Sequence, residues 1–106
     1  MDDTHTYLPD LAGVLPEITA DTVISRNLHK DSKMDVTLFG FAAGQELTEH
    51  RSPYAAIIQI IQGEAHITLD KEEVKAEAGS WIFMPPNLPH SLRTTSKMVM
   101  LLTLIK

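Results

Sequence analysis

Five histidines and no cysteine set the chemistry open to this chain of 106 residues. Imidazole titrates near neutral pH, moves protons and ligates transition metals; thiol chemistry is excluded. His50 follows Glu49 and stands two residues before Ser52, and His90 closes the run Met84-Pro85-Pro86-Asn87-Leu88-Pro89. Pro85, Pro86 and Pro89 stiffen the loop that delivers His90, and a stiff loop holds a functional side chain at lower entropic cost. Glu49 is no orienting partner for His50, because adjacent residues of a strand point to opposite sides. No other paired carboxylate is supplied, so acid–base work by either histidine lacks its usual support. His66 shares the parity of Glu64 and Thr68 and reads as outward and solvated. His5 and His29 fall in a tail and a turn. Met84, Met98 and Met100 could line a soft pocket, although filling a core is the commoner use of methionine. Tyr54 and Trp81 are amphipathic aromatics suited to the edge of a ligand site or a subunit interface.

The elements that must position these side chains are short. Apolar runs over Val23–Leu28, Met34–Phe41, Ala55–Ile61, Ala65–Leu69, Val74–Ala78, Trp81–Met84 and Met98–Ile105 are separated by turn residues. They are rich in Val, Ile, Thr and Phe and are of strand length, and no stretch of a dozen residues carries a 3.6-residue period. Many short strands at even spacing predict an all-β sandwich or barrel. Ala55–Ile61 and Met98–Ile105 are apolar on both parities, so each needs cover on both faces. Residues 1–20 form an N-terminal extension broken by Pro9, Gly13 and Pro16, and residues 21–106 form the barrel domain. Leu8, Leu11, Val14 and Ile18 make the extension apolar enough to dock on its own barrel or on a second subunit.

Composition narrows the partners. The length allows one domain. Lys plus Arg number 9 against 14 Asp plus Glu, a formal charge of −5, with no local basic cluster. Such a surface repels phosphate backbones, so nucleic acid is not an expected partner. The polar, acidic start Met1-Asp2-Asp3-Thr4-His5 lacks the pattern of a signal peptide, and no apolar stretch reaches membrane-spanning length. The expectation is a cytoplasmic protein without a membrane partner.

Two spaced motifs then resemble those of the cupin family over about residues 35–105. The first cupin motif is Gly, five residues, His-x-His, three residues, Glu, six residues, Gly; here Gly44, His50 and Gly63 stand at the required distances. The second is Gly, five residues, Pro-x-Gly, two residues, His, three residues, Asn; here Gly79, Pro85 and His90 match, and Asn87 replaces the central Gly. Asn is the next best residue at positive φ, so that turn can survive. Fifteen residues, 64 to 78, separate the motifs, the short spacing of small microbial cupins. The resemblance implies an antiparallel double-sheet jelly-roll barrel. In the family three imidazoles and a carboxylate hold a divalent transition metal. Here Ser52 replaces the second His, Ala56 the Glu and Thr94 the final Asn. The resemblance leaves His50 and His90 as metal ligands, two of four, and any metal would be weakly held. If position 56 faces inward as the family's Glu does, then Ala56, Ile58 and Ile60 line the barrel. The expected pocket is therefore His50, Ser52, Ala56, Ile58, Ile60 and His90, with an apolar wall suited to a small, partly apolar molecule.

Three functions compete. The first is a small-molecule-binding barrel with a degenerate metal site. The second is a cupin metalloenzyme of dioxygenase, isomerase or decarboxylase type, completing its ligand set from outside. The third is an accessory or sensory subunit. The missing ligands count against the second, and the lack of an appended domain weakens the third. No catalytic residue is assigned. A homodimer is expected, because both faces of Met98–Ile105 need cover, small cupins pair sheet on sheet, and two-fold pairs are the commonest closed symmetry.

Overall fold

Each apolar run closed by a Gly, Asn or Asp turn becomes a strand in the computed structural model of the protein, which describes residues 4–106; Met1 to Asp3 of the extension lie outside the described residues. The nine strands are β1 (Val23–Lys30), β2 (Met34–Phe41), β3 (Glu46–His50), β4 (Ala55–Gln62), β5 (Glu64–Leu69), β6 (Glu72–Glu77), β7 (Trp81–Met84), β8 (His90–Thr94) and β9 (Met98–Ile105). Among the described residues the only helical piece is one 3₁₀ turn, Ala12–Val14. No helix among the described residues is long and apolar enough to cross a membrane. The strands form a five-stranded sheet in the order β1-β2-β9-β4-β7 and a four-stranded sheet in the order β3-β8-β5-β6. All their pairings are antiparallel, and the arrangement is a jelly-roll barrel.

Strand periodicity decides what lies between the sheets. Phe39 and Phe41 of β2, Ala56, Ile58 and Ile60 of β4, and Met98, Met100, Leu102 and Leu104 of β9 face Ala65 and Ile67 of β5 and Leu92 of β8 in one apolar cluster. Each fully buried large side chain contributes about 1.5–3 kcal/mol to holding the layers together.

The opposite parity of β2 and β9 is apolar too, and the N-terminal extension covers part of it. Leu38 and Val99 are buried outside the barrel interior. Gly40 pairs with Val99 across the β2–β9 ladder. A Cβ added at Gly40 would lie 2.7 Å from Ile18 Cδ1 and 3.0 Å from Leu15 Cδ1, so the extension folds back on its own barrel there. That cover stops short of the other edge. On β7, Trp81 is 59% and Phe83 50% exposed. They pair with Gln59 and Ile57 of β4, on the outer face of the sheet.

Two of the turns with positive φ bear on the barrel and the site. Gly63 joins β4 to β5 with φ +77, and a Cβ there would fall 1.9 Å from the Lys97 carbonyl oxygen, so no other residue fits. Asn87 takes φ 66 in the loop before β8, the conformation expected of the residue replacing a motif glycine.

Candidate functional site

The two histidines of the motifs sit on β3 and β8, two largely polar strands that pair with each other. On β8, Leu92 and Thr94 are buried and Leu92 belongs to the interior cluster, so His90, of the same parity, also faces inward. Across from it, Leu47 of β3 pairs with Leu92. Regular alternation would then set Glu49 opposite His90. Instead the register shifts between Leu47 and His50, and His50 becomes the partner of His90. Three steps along β3 match two along β8, which is a β-bulge, a device that re-aims a side chain. It turns His50, rather than a carboxylate, toward the barrel mouth.

The imidazole centroids lie 4.1 Å apart with ring planes at 62°. Each Nδ1 lies 2.9 Å from the carbonyl oxygen two residues earlier, Thr48 for His50 and Leu88 for His90. A carbonyl only accepts, so each Nδ1 donates its hydrogen. In the neutral ring the Nε2 then keeps its lone pair. Among the described residues neither Nε2 meets a protein partner, and no buried side-chain nitrogen or oxygen is left unpaired. The half-buried His90 therefore presents its Nε2 to the cavity or its opening. Burial pushes the His90 pKa below its ordinary value; the bond to Leu88 works the other way, and the neighbouring His50 adds to the lowering.

Below the pair lies a cavity of about 110 Å³. Its walls are Phe39, Leu47, Ile58, Ile67, Leu92, Met100 and Leu102, with His50, His90 and Ser91 as the polar members. Of the residues expected from sequence, His50, Ile58 and His90 come together here. Ala56 and Ile60 face inward but are packed into the core, outside the lining. Ser52 also lies off the lining. Its hydroxyl accepts from the Tyr54 N–H at 3.1 Å, and its carbonyl accepts from the Asn87 N–H at 2.7 Å. Ser52 thus ties the chain after His50 to the turn before His90.

Sequence reasoning missed Leu47 and Leu92 as wall residues because β3 and β8 did not register as strands. The available signal was one apolar residue flanked by polar ones, Glu46-Leu47-Thr48 and Ser91-Leu92-Arg93. Thr94 acquires a role as well. It is 2% exposed, and its hydroxyl donates to the Ala42 carbonyl at 2.7 Å and accepts from the Gln45 N–H at 2.9 Å. It fastens the Gly44 turn to β8.

The donor set does not fit a resident divalent metal. Among the described residues no group of three or more His, Cys, Asp or Glu side chains could hold a metal ion. The cavity walls carry no carboxylate. Two neutral imidazoles supply half the usual ligands and no charge to offset a dication among apolar walls.

Among curated proteins no relative matches the chain. Solved structures do. A conserved protein of unknown function from Streptococcus pyogenes is 34% identical over 98% of this chain and 90% of its own, with a TM-score of 0.86. A cupin superfamily protein from Desulfitobacterium hafniense is 25% identical over 97% of this chain and 93% of its own, also with a TM-score of 0.86. A cupin 2 conserved barrel domain protein from Leptotrichia buccalis is 28% identical over 90% of this chain and 46% of its own, with a TM-score of 0.83. The family model described as Cupin domain matches residues 37–105, which contain both histidines and seven of the nine strands from start to end, and the chain belongs to that family.

Proposed function

We propose that this cupin is a small-molecule-binding barrel that holds its ligand in the cavity beneath His50 and His90, with no need for a resident metal. The observation that carries this reading is the combination of seven apolar walls with two imidazole nitrogens that have no protein partner. Apolar lining with a few convergent polar groups is the usual composition of a ligand site. The volume limits the occupant. An apolar cavity of about 150 Å³ takes up benzene, so at about 110 Å³ benzene is the upper bound for the enclosed part, and any larger part projects past the histidines.

The reading is tested on chelator-treated protein by an amide NMR screen of fragments of about benzene size. Hits should move the amides of Leu47, Ile58 and Leu92 together. A screen with no such hits, combined with one transition metal per chain in protein purified without chelator, would replace this reading with the metalloenzyme one. That second reading has its own support in the free Nε2 atoms. It requires the remaining ligands to come from water or substrate.

We infer further that the working unit is a homodimer formed through the β7 side of the five-stranded sheet. Trp81 and Phe83 are large, apolar and half or more exposed on one short edge strand, next to Ile57. Exposed aromatic pairs of this kind typify interfaces.

A further inference from the structure

We infer that the cavity selects an uncharged ligand whose head group is a hydrogen-bond donor, an O–H or N–H carried on an apolar body no larger than benzene. This rests on the cavity being the binding site and adds the chemistry that the site demands.

The selection follows from how the two rings spend their hydrogens. A neutral imidazole has one N–H. His50 gives its hydrogen to the Thr48 carbonyl, and His90 gives its hydrogen to the Leu88 carbonyl. Both acceptors are main-chain atoms two residues away, fixed by the β3–β8 ladder and by the proline-stiffened loop. Neither ring can therefore turn an N–H toward a visitor without breaking a bond to its own backbone. What each offers is the Nε2 lone pair, and with ring centroids 4.1 Å apart the two rings stand side by side at one opening, where a head group can meet either of them.

Each alternative head group is disfavoured. A carboxylate would set its negative oxygens against two lone pairs, and no lysine or arginine lines the cavity to offset it. An ammonium or a metal cation would find acceptors but no anion, and an uncompensated charge among apolar walls is costly. A pure hydrocarbon would fill the volume but pair with neither ring, and it would displace water from the Nε2 of the half-buried His90 without replacing its hydrogen bond, while the exposed His50 stays hydrated. Only an uncharged donor fills the walls and pairs an Nε2; a single O–H pairs with one ring at a time, and the other Nε2 keeps its water at the opening.

The test uses three probes of similar size on chelator-treated protein at about pH 8, above the histidine range. The probes are phenol, toluene and benzoate, followed by amide NMR titration. Phenol should bind about tenfold more tightly than toluene, benzoate should bind more weakly than phenol, and the shifts should centre on Leu47, Ile58 and Leu92. His50→Leu should reduce the preference for phenol over toluene, and adding His90→Leu should abolish it. The wild-type ratio decides the matter even if the double variant does not fold. Toluene binding in the cavity as tightly as phenol would overturn the donor inference and leave the binding barrel standing. Benzoate binding tightest would also overturn it, identifying an anion site instead. No cavity shifts with any of the three would overturn both the inference and the reading on which it rests.

Discussion

Thr94 shows how a side chain that looks like a lost ligand can be held for another reason. In the second cupin motif its position belongs to an asparagine, and from sequence it counts only as a departure. In the fold its hydroxyl is buried and doubly hydrogen-bonded, to Ala42 and Gln45, about half the chain away. Thr94→Val keeps the shape and orphans both partners. Leaving such groups unpaired costs about 1–3 kcal/mol, readable as a lower urea midpoint with an unchanged fold. His90 makes a different prediction. Burial lowers its folded-state pKa below the ordinary 6.5, so the unfolded chain takes up its proton more readily. Its contribution to stability is then complete above about pH 6.5 and is lost as pH falls below that value. Comparing urea unfolding at about pH 8 and about pH 5, the difference between wild type and His90→Gln should shift in favour of the variant at the lower pH. A difference that stays constant would argue against burial as the cause. Asp31, in the turn after β1, acts in a separate pH window. It is held at about 2, first by the His29 hydrogen bond and then by the Lys33 and Met34 N–H groups. What it contributes is present above 3.8 and is lost as pH falls toward 2.

Legibility differed between elements for a physical reason. Strands buried on one or both faces, such as β2, β4 and β9, announce themselves by apolar content, and their bounds follow closely from the sequence. The strands that carry the site, β3 and β8, turn one face to the cavity and its histidine mouth and the other to solvent, so Glu46–His50 and His90–Thr94 carry one apolar residue each, Leu47 and Leu92. The bulge that points His50 inward has no local signature either, since it is a property of the pairing of β3 with β8 rather than of β3 alone. Motif spacing could therefore bring His50 and His90 together, while the wall residues beneath them and the orientation of the rings needed the fold. Gly63 is the turn that carries the chain from β4 in the five-stranded sheet to β5 in the four-stranded one, and Gly63→Ala tests it. The substitution adds left-handed backbone strain to a collision with the Lys97 carbonyl. It should destabilise the barrel by about 3 kcal/mol, seen in thermal unfolding. A variant of near wild-type stability would mean that the β8–β9 turn yields easily.

At the scale of the molecule, the five-stranded sheet has two apolar faces and cover for only part of the outer one. The extension, through Leu15 and Ile18, shields the Gly40 region. Trp81 and Phe83, at the opposite edge, remain open. If they form the proposed interface, light scattering should give twice the chain mass for the wild type at micromolar concentration and a single chain mass for Trp81→Lys/Phe83→Lys. The far-UV spectrum should not change, since both side chains already face solvent in the single chain. A wild-type protein of single mass, folded and soluble, would refute the pairing.

The position of β9 has a temporal consequence. It lies between β2 and β4 at the centre of the five-stranded sheet, yet it leaves the ribosome after the other eight strands. Until it emerges, β2 and β4 have an open seam between them, and Phe41, Ile58 and Ile60 have no Met98 or Met100 to pack against. Vectorial synthesis therefore cannot close this barrel piece by piece. Its assembly is a late, concerted event of the kind that non-local sheets complete in about milliseconds to seconds, and the nascent chain carries an unfinished sheet edge until the final strand drops into place.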